Sequence, residues 1–243
     1  MRTLTFAKRC AKEILRDPIN LAFGLGFPLV LLWLLSAIQA NIPVPLFEIH
    51  TLAPGITVFG LSFMTLFSAT LIAKDRESAL LQRLYTTPLT GWDCILGYML
   101  PLIPMALVQT VLCYLCAIPL GLTVNVNLLY AILGILPVAV FYVALGLLCG
   151  SVLGVKQVGG ICGALLTNLS AWLSGVWFDL SLMGKAFQSI ANLLPFVHAV
   201  KLEQGLVSGD GAAVLPHLWP ILLYSGAVTG VAVYCFLRQM KKQ

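Results

Sequence analysis

The sequence predicts an all-α integral membrane protein: six transmembrane helices, an N-terminal helix lying in the membrane interface, a short cytoplasmic helix after the second span, and an outer re-entrant hairpin. Three observations carry this. The 243 residues are 60% hydrophobic and only 9% charged, with a mean hydropathy of +0.97, whereas a soluble domain carries about 25% charged residues. The charges are confined to a few places, leaving long charge-free runs. The basic residues, finally, gather on what a consistent topology makes one side.

Residues 2–17 come first. Leu4, Ala7, Ala11 and Ile14 fall on one helical face and Arg2, Arg9, Lys12 and Arg16 on another, the pattern of a helix lying in the interface. The apolar run that follows is far longer than the 7 to 15 residues of a cleaved leader's core.

A charge at the bilayer centre costs about 2.5 to 3.5 kcal/mol on insertion scales, so charge-free runs mark the spans. They are Pro18 to Phe47, Ile49 to Ala73, Cys94 to Val155, Gln157 to Phe178 and Gly211 to Leu237, each long enough for the roughly 20-residue helix that a bilayer requires. The third would make a helix of about 93 Å, so it crosses twice, turning at the Pro119 to Asn127 stretch PLGLTVNVN. The expected spans are about 19–40, 53–73, 94–118, 129–153, 158–178 and 214–237, within one membrane domain over residues 1–243.

Lys and Arg stay with the cytoplasmic leaflet. With both termini inside, residues 2–16, Lys74, Arg76, Arg83, Lys156 and the tail hold all but two of the 14 basic residues; Lys185 and Lys201 fall outside. The net charge of +5 is thus a topological asymmetry rather than a nucleic-acid patch. Between Lys185 and Lys201 the chain KAFQSIANLLPFVHAVK is uncharged, too short to span and broken by Pro195, which makes it a hairpin on or in the outer leaflet.

The most polar passage is KDRESALLQRLYTTPLTGWD, from Lys74 to Asp93. Glu77, Leu80, Leu81 and Leu84 share one helical stripe over Asp75 to Tyr85, and Pro88 ends it. A cytoplasmic helix with an apolar stripe packs on the membrane surface, on its own spans or on a partner.

Arg76 to Pro101 resembles the loop between the second and third spans of ATP-binding cassette (ABC) exporter permeases of the type 2 class. Arg76, Glu77, Leu81, Leu84, Thr87, Pro88, Leu89, Leu96 and Gly97 match; Tyr98 stands where a basic residue is usual and Ser78 where Gly is common. LLPFVHAVKLEQ is similar to the family's segment before the last span, at Leu193, Pro195, Phe196, His198 and Gln204. The resemblance implies a half-transporter in a bacterial-type cytoplasmic membrane, pairing with a second permease subunit as a homodimer or heterodimer. It also implies an ATPase-docking coupling helix at Arg76, Glu77, Leu80, Leu81, Leu84, Thr87, Pro88 and Leu89, and an outer hairpin motif at Pro195, Phe196 and His198.

The chain contains no G-x-x-x-x-G-K-[ST] sequence to cradle phosphates, so it is not expected to be an enzyme. ATP and Mg would belong to a separate nucleotide-binding ATPase. The Cys113-x-x-Cys116 pair sits inside a span without a second ligand pair, and none of His50, His198 and His217 has zinc spacing, so neither metal nor cofactor is expected here. Gln109, Thr110, Thr167, Asn168, Ser170 and Ser174 could line a pathway or bond helix to helix. Trp92, Trp172, Trp177, Phe178 and Trp219 read as interfacial anchors.

The expected function is ATP-driven export of a hydrophobic, amphipathic or lipid-linked substrate such as a drug or antibiotic. A non-transporting membrane assembly factor and a membrane-embedded enzyme are the alternatives.

Overall fold

The computed structural model describes residues 2–78, 90–178 and 180–240. Its described secondary structure is helical throughout, in the order α1 (Arg2–Leu15), α2 (Pro18–Gln39), α3 (Ile49–Glu77), α4 (Gly91–Ala117, extended by a 3-10 turn over Ile118–Leu120), α5 (Val126–Val152), α6 (residues 155–173), α7 (Lys185–Leu193), α8 (Pro195–Ser208) and α9 (Gly211–Met240). Five of these, α2 to α5 and α9, are long and apolar enough to cross a membrane. Helix α6 overlaps the expected span 158–178 but ends at Leu173, and Lys156, Gln157, Thr167 and Asn168 dilute its hydropathy.

Helix α3 is the axis of the molecule: 89% of its most apolar window is buried, because α2, α4, α5 and α8 all pack around it. The contact with α5 is the closest. Gly146 and Gly150 let the two backbones meet, for a Cβ at either would stand 2.4 Å from Thr65 O or 2.6 Å from Ala69 O. Thr65 and Ser68 use that proximity to donate hydroxyl hydrogen bonds to Tyr142 O (2.8 Å) and Val143 O (3.1 Å). Small residues and hydroxyl bonds replace the hydrophobic driving force that lipid removes.

Helix α1 differs from expectation in what it packs against. Phe6, Ala7, Cys10 and Ile14 are buried, with Phe6 edge-on to Tyr98 of α4 at 5.0 Å, while Leu4 is 70% exposed. The apolar stripe therefore serves the protein core, rotated from the Leu4–Ala11 face inferred from the sequence.

The helix expected over Asp75 to Tyr85 begins otherwise than anticipated. Asp75, Arg76 and Glu77 are the last turn of α3, which Ser78 caps. Leu80, Leu81, Leu84, Thr87, Pro88 and Leu89 lie outside the described residues. On the far side of that stretch Thr90 opens α4 with a capping box: its hydroxyl accepts Asp93 N–H (3.2 Å), and Asp93 Oδ2 accepts Thr90 N–H (3.0 Å). Pro195 breaks residues 185–208 into α7 and α8, with Leu194 extended between them (φ −92°, ψ 152°).

Candidate functional site

A groove of about 730 Å³ lies between α2, α3 and α6. Its walls are aromatic: Phe23 and Phe27 from α2, Phe59 and Phe63 from α3, and Trp172 and Trp177 from α6 and the turn after it. The rings interlock edge to face, Phe27 on Phe63 at 5.8 Å and Trp177 on Phe59 at 5.7 Å. Asn20, Thr167 and Asn168 add polar edges. Two of the three walls depart from α-geometry, with π-helical segments at Ala22–Gly26 and Gly159–Leu166; such widened turns concentrate at functional sites.

Trp172, Trp177 and Phe178 thus line the groove, a placement that the anchor reading missed. Their position near the end of a span served two readings equally well, and only the packing of α2 and α6 separates them.

The six residues offered for a pathway divide. Thr167 and Asn168 reach the groove, although Thr167 Oγ1 donates to Cys162 O (3.0 Å) and Asn168 Nδ2 to Ala164 O (2.8 Å). Ser174 lines a second cavity, beside the start of α3. Gln109 and Thr110 are buried in packing: Gln109 Nε2 donates to Thr57 O (3.3 Å), and Thr110 Oγ1 to Ala106 O (2.9 Å). Ser170 shares a 2.6 Å hydrogen bond with the Tyr142 hydroxyl.

At the opposite end from this second cavity, Arg76 and Glu77 brace α3 to the α5–α6 junction. Arg76 Nη1 donates to Gly150 O (2.7 Å) and Leu153 O (3.2 Å), and Glu77 Oε1 accepts Val155 N–H (2.9 Å). A cation thus meets the carbonyl end of α5 and an anion the amide end of α6, the favourable polarity at both helix termini.

In the same last turn of α3, at the residue before Arg76, lies a cluster that sequence reasoning did not assign. Asp75, only 2% exposed, accepts a fork from Arg9 of α1 (2.5 Å to Oδ2, 2.7 Å to Oδ1) and the Tyr98 hydroxyl of α4 (2.8 Å to Oδ2). Arg9 also pairs with Glu13 at 2.6 Å. Burial beside this cluster pushes the Cys10 thiol up to about 12 and raises the Glu13 carboxyl. The available signal was an acid two residues after a charge-free run, next to Lys74.

The outer motif residues each have a place. Pro195 starts α8, and Phe196 packs against Phe141 (6.2 Å) and Tyr142 (6.4 Å) of α5. His198 Nδ1 lies 2.9 Å from His217 Nδ1 of α9, and its Nε2 lies 2.9 Å from Asn192 O of α7. Because the Asn192 carbonyl can only accept, His198 carries its hydrogen on Nε2 when neutral, and His217 donates at the shared contact. One imidazole thus joins three helices. Farther along α8, Glu203 is wholly buried and accepts the Tyr114 hydroxyl on Oε1; burial pushes its carboxyl up to about 8.

Residues 1–205 match the family model described as ABC-2 type transporter. The chain belongs to that family. It is a multi-pass membrane protein of a transporter family. It is 25% identical over 204 residues to the "Probable multidrug ABC transporter permease YbhR" of Escherichia coli (strain K12), and equally to that of Escherichia coli O157:H7. Each match covers 82% of this chain and 54% of the relative, so this ABC-2 chain spans about half the length of the curated relatives it matches.

Proposed function

We propose that this permease subunit exports a hydrophobic or amphipathic substrate, using a separate ABC ATPase that binds ATP and Mg. The aromatic groove carries the reading. It lies on an outward-facing flank of the subunit, between α2, largely exposed, and α6, where Gly159 and Gly160 have open space beside them. A second permease subunit, identical or related, closes the groove into a pathway. Phenyl and indole faces take flat or apolar substrate parts without fixed hydrogen bonding, which suits varied drug-like cargo. The relatives' multidrug name is in keeping with this.

In the same reading, α6 is the sixth crossing, less apolar than the others because one side faces the pathway. Both termini lie in the cytoplasm, in a bacterial-type cytoplasmic membrane, and residues 185–208 form the re-entrant hairpin on the outer side. The ATPase docks on the stretch after Glu77. Its movement reaches α5 and α6 through Arg76 and Glu77, so these two residues transmit force while the leucines of the stretch make the docking surface.

Purification in mild detergent, with mass spectrometry and ATP-hydrolysis assay of what accompanies the chain, tests this. Leu81→Asp is expected to lose the ATPase, whereas Glu77→Gln keeps it bound but loses substrate-stimulated hydrolysis. An ATPase that stays bound and fully stimulated in both variants refutes the coupling route. Absence of any accompanying ATPase refutes the exporter reading itself.

A further inference from the structure

The aromatic groove does not end in lipid at its outer end. Trp177 and Phe178 form part of its wall and also part of the wall of a second cavity of about 450 Å³. That cavity lies between the loop at Pro45 and Leu46, the start of α3, the turn after α6, and the faces of α7 and α8. It has the opposite chemistry. Its polar lining consists of Thr51, Ser174, Gln188, Asn192, Lys201 and Gln204: hydroxyls, amides and one ammonium group. Among its described lining residues there is no carboxylate, and Lys201 has no ion pair among the described residues. Gln204 is held in place by donating to Thr51 O at 3.1 Å, which leaves its carbonyl oxygen as an acceptor and the Lys201 ammonium as the strongest donor in the chamber.

From this pairing of chambers we propose that the substrate is an amphipathic anion: an apolar or aromatic body occupies the groove, and a phosphate- or carboxylate-bearing head enters the outer chamber at Lys201. The inference rests on the groove being the substrate pathway and narrows what passes through it. An apolar molecule alone would leave the amides and the ammonium group unused. A cationic amphipath would bring a second positive charge beside Lys201. An anionic head gains a charge-assisted hydrogen bond from Lys201 and further donors from the amides of Gln188 and Asn192. The aromatic pair at the junction accommodates the change of polarity, since an indole presents an apolar face and one N–H donor.

The turn that carries Trp177 is built to fit between the two chambers. Gly175 holds a left-handed conformation (φ +75°), which reverses the chain after α6 and swings Trp177 back onto Phe59. Both chambers therefore share a wall that belongs to neither helix, where Trp177 stands edge to face on Phe59 and packs against the hydrophobic core.

Binding can be measured on the full chain in nanodiscs of zwitterionic lipid, without the ATPase. The probes are 12-bromododecyl phosphate, 12-bromododecyl maltoside and 12-bromododecyltrimethylammonium, read by bromine quenching of tryptophan fluorescence. The phosphate probe is expected to bind about tenfold more tightly than the cationic one, the scale of one charge-assisted hydrogen bond. Lys201→Gln is expected to remove that preference and Lys201→Arg to keep it, both leaving the maltoside probe unchanged. Trp172→Phe with Trp177→Phe is expected to remove most of the saturable quenching, which locates the probe. Equal affinity for the phosphate and ammonium probes, or a phosphate affinity indifferent to Lys201→Gln, overturns the proposal. Such failure leaves ATPase association and stimulation untouched, so the exporter reading stands or falls separately.

Discussion

Replacing Asp75 by alanine is the most informative single perturbation of the C-terminal end of α3. The carboxylate is almost fully buried and receives three hydrogen bonds, two from Arg9 and one from Tyr98. Removing it strands the Tyr98 hydroxyl, whose residue is wholly buried, at about 1 to 3 kcal/mol for an unsatisfied buried donor. It also removes the Arg9 fork, worth about 1.5 to 3 kcal/mol as a charged hydrogen-bonded contact. Arg9 is 37% exposed and keeps Glu13, so solvent recovers much of that second contribution. A total near 3 kcal/mol follows, or about 6 to 12 °C in melting temperature for a chain of this size. Because Arg9 Nη1 and Tyr98 both end on Oδ2, Arg9→Met and Tyr98→Phe should be non-additive in a double-mutant cycle. Cys10 offers a second assay: it is fully buried on α1, and detachment of that helix should expose it to maleimide labelling, followed peptide by peptide by mass spectrometry. A melting shift under 2 °C with Cys10 still protected would refute the assignment of Asp75 as the tie between α1, α3 and α4.

Three further outcomes follow from named contacts. Gly146→Val places side-chain atoms against the α3 backbone, where even a Cβ would lie 2.4 Å from Thr65 O; expression in folded form should drop sharply while Gly226→Val, with open space around it, is tolerated, and equal yields would contradict the α3–α5 packing. Glu203 carries its proton in the folded state up to about pH 8, against an ordinary value of 4.5, so the folded protein binds more protons than the unfolded chain between those limits. Stability should fall as pH rises through that window, and Glu203→Gln should flatten the melting-temperature profile from pH 5 to pH 8; an unchanged slope would assign the titration elsewhere. Cys149 of α5 packs against the buried cluster that contains Cys162 of α6, so copper–phenanthroline should link the two thiols, and a tryptic map lacking the linked peptide would show those helices set farther apart.

Much of the helical architecture was legible because charge is scarce and its absence marks apolar helices without ambiguity. Residues 155–173 were harder to classify: Thr167 and Asn168 reach the groove, and an average along the sequence cannot tell a groove-lining polar residue from an ordinary boundary. The stripe on α1 was legible as a stripe, but its partner was not, since lipid and a neighbouring helix are equally apolar. Arg76 and Glu77 were singled out by their motif, whereas their contacts with Gly150, Leu153 and Val155 depend on where α5 ends, roughly seventy-five residues later. The groove was illegible for a related reason. Phe23, Phe59 and Trp172 come from three separate segments, and nothing local announces that they meet.

The two π-helical segments, Ala22–Gly26 and Gly159–Leu166, carry a consequence for how this wall could have arisen and how it could move. A π turn is an α-helix with one residue too many for its register, so each of α2 and α6 stores a surplus residue beside the groove. Deleting one residue inside either segment would relax it to ordinary α-geometry and turn one flank about 100° relative to the other, exchanging the face shown to the groove while the helix stays continuous. The same surplus can migrate along the helix by trading hydrogen bonds one at a time, as a wrinkle passes along a carpet. A wall of this kind can be re-aimed by inheritance through a single codon and by motion without melting a turn.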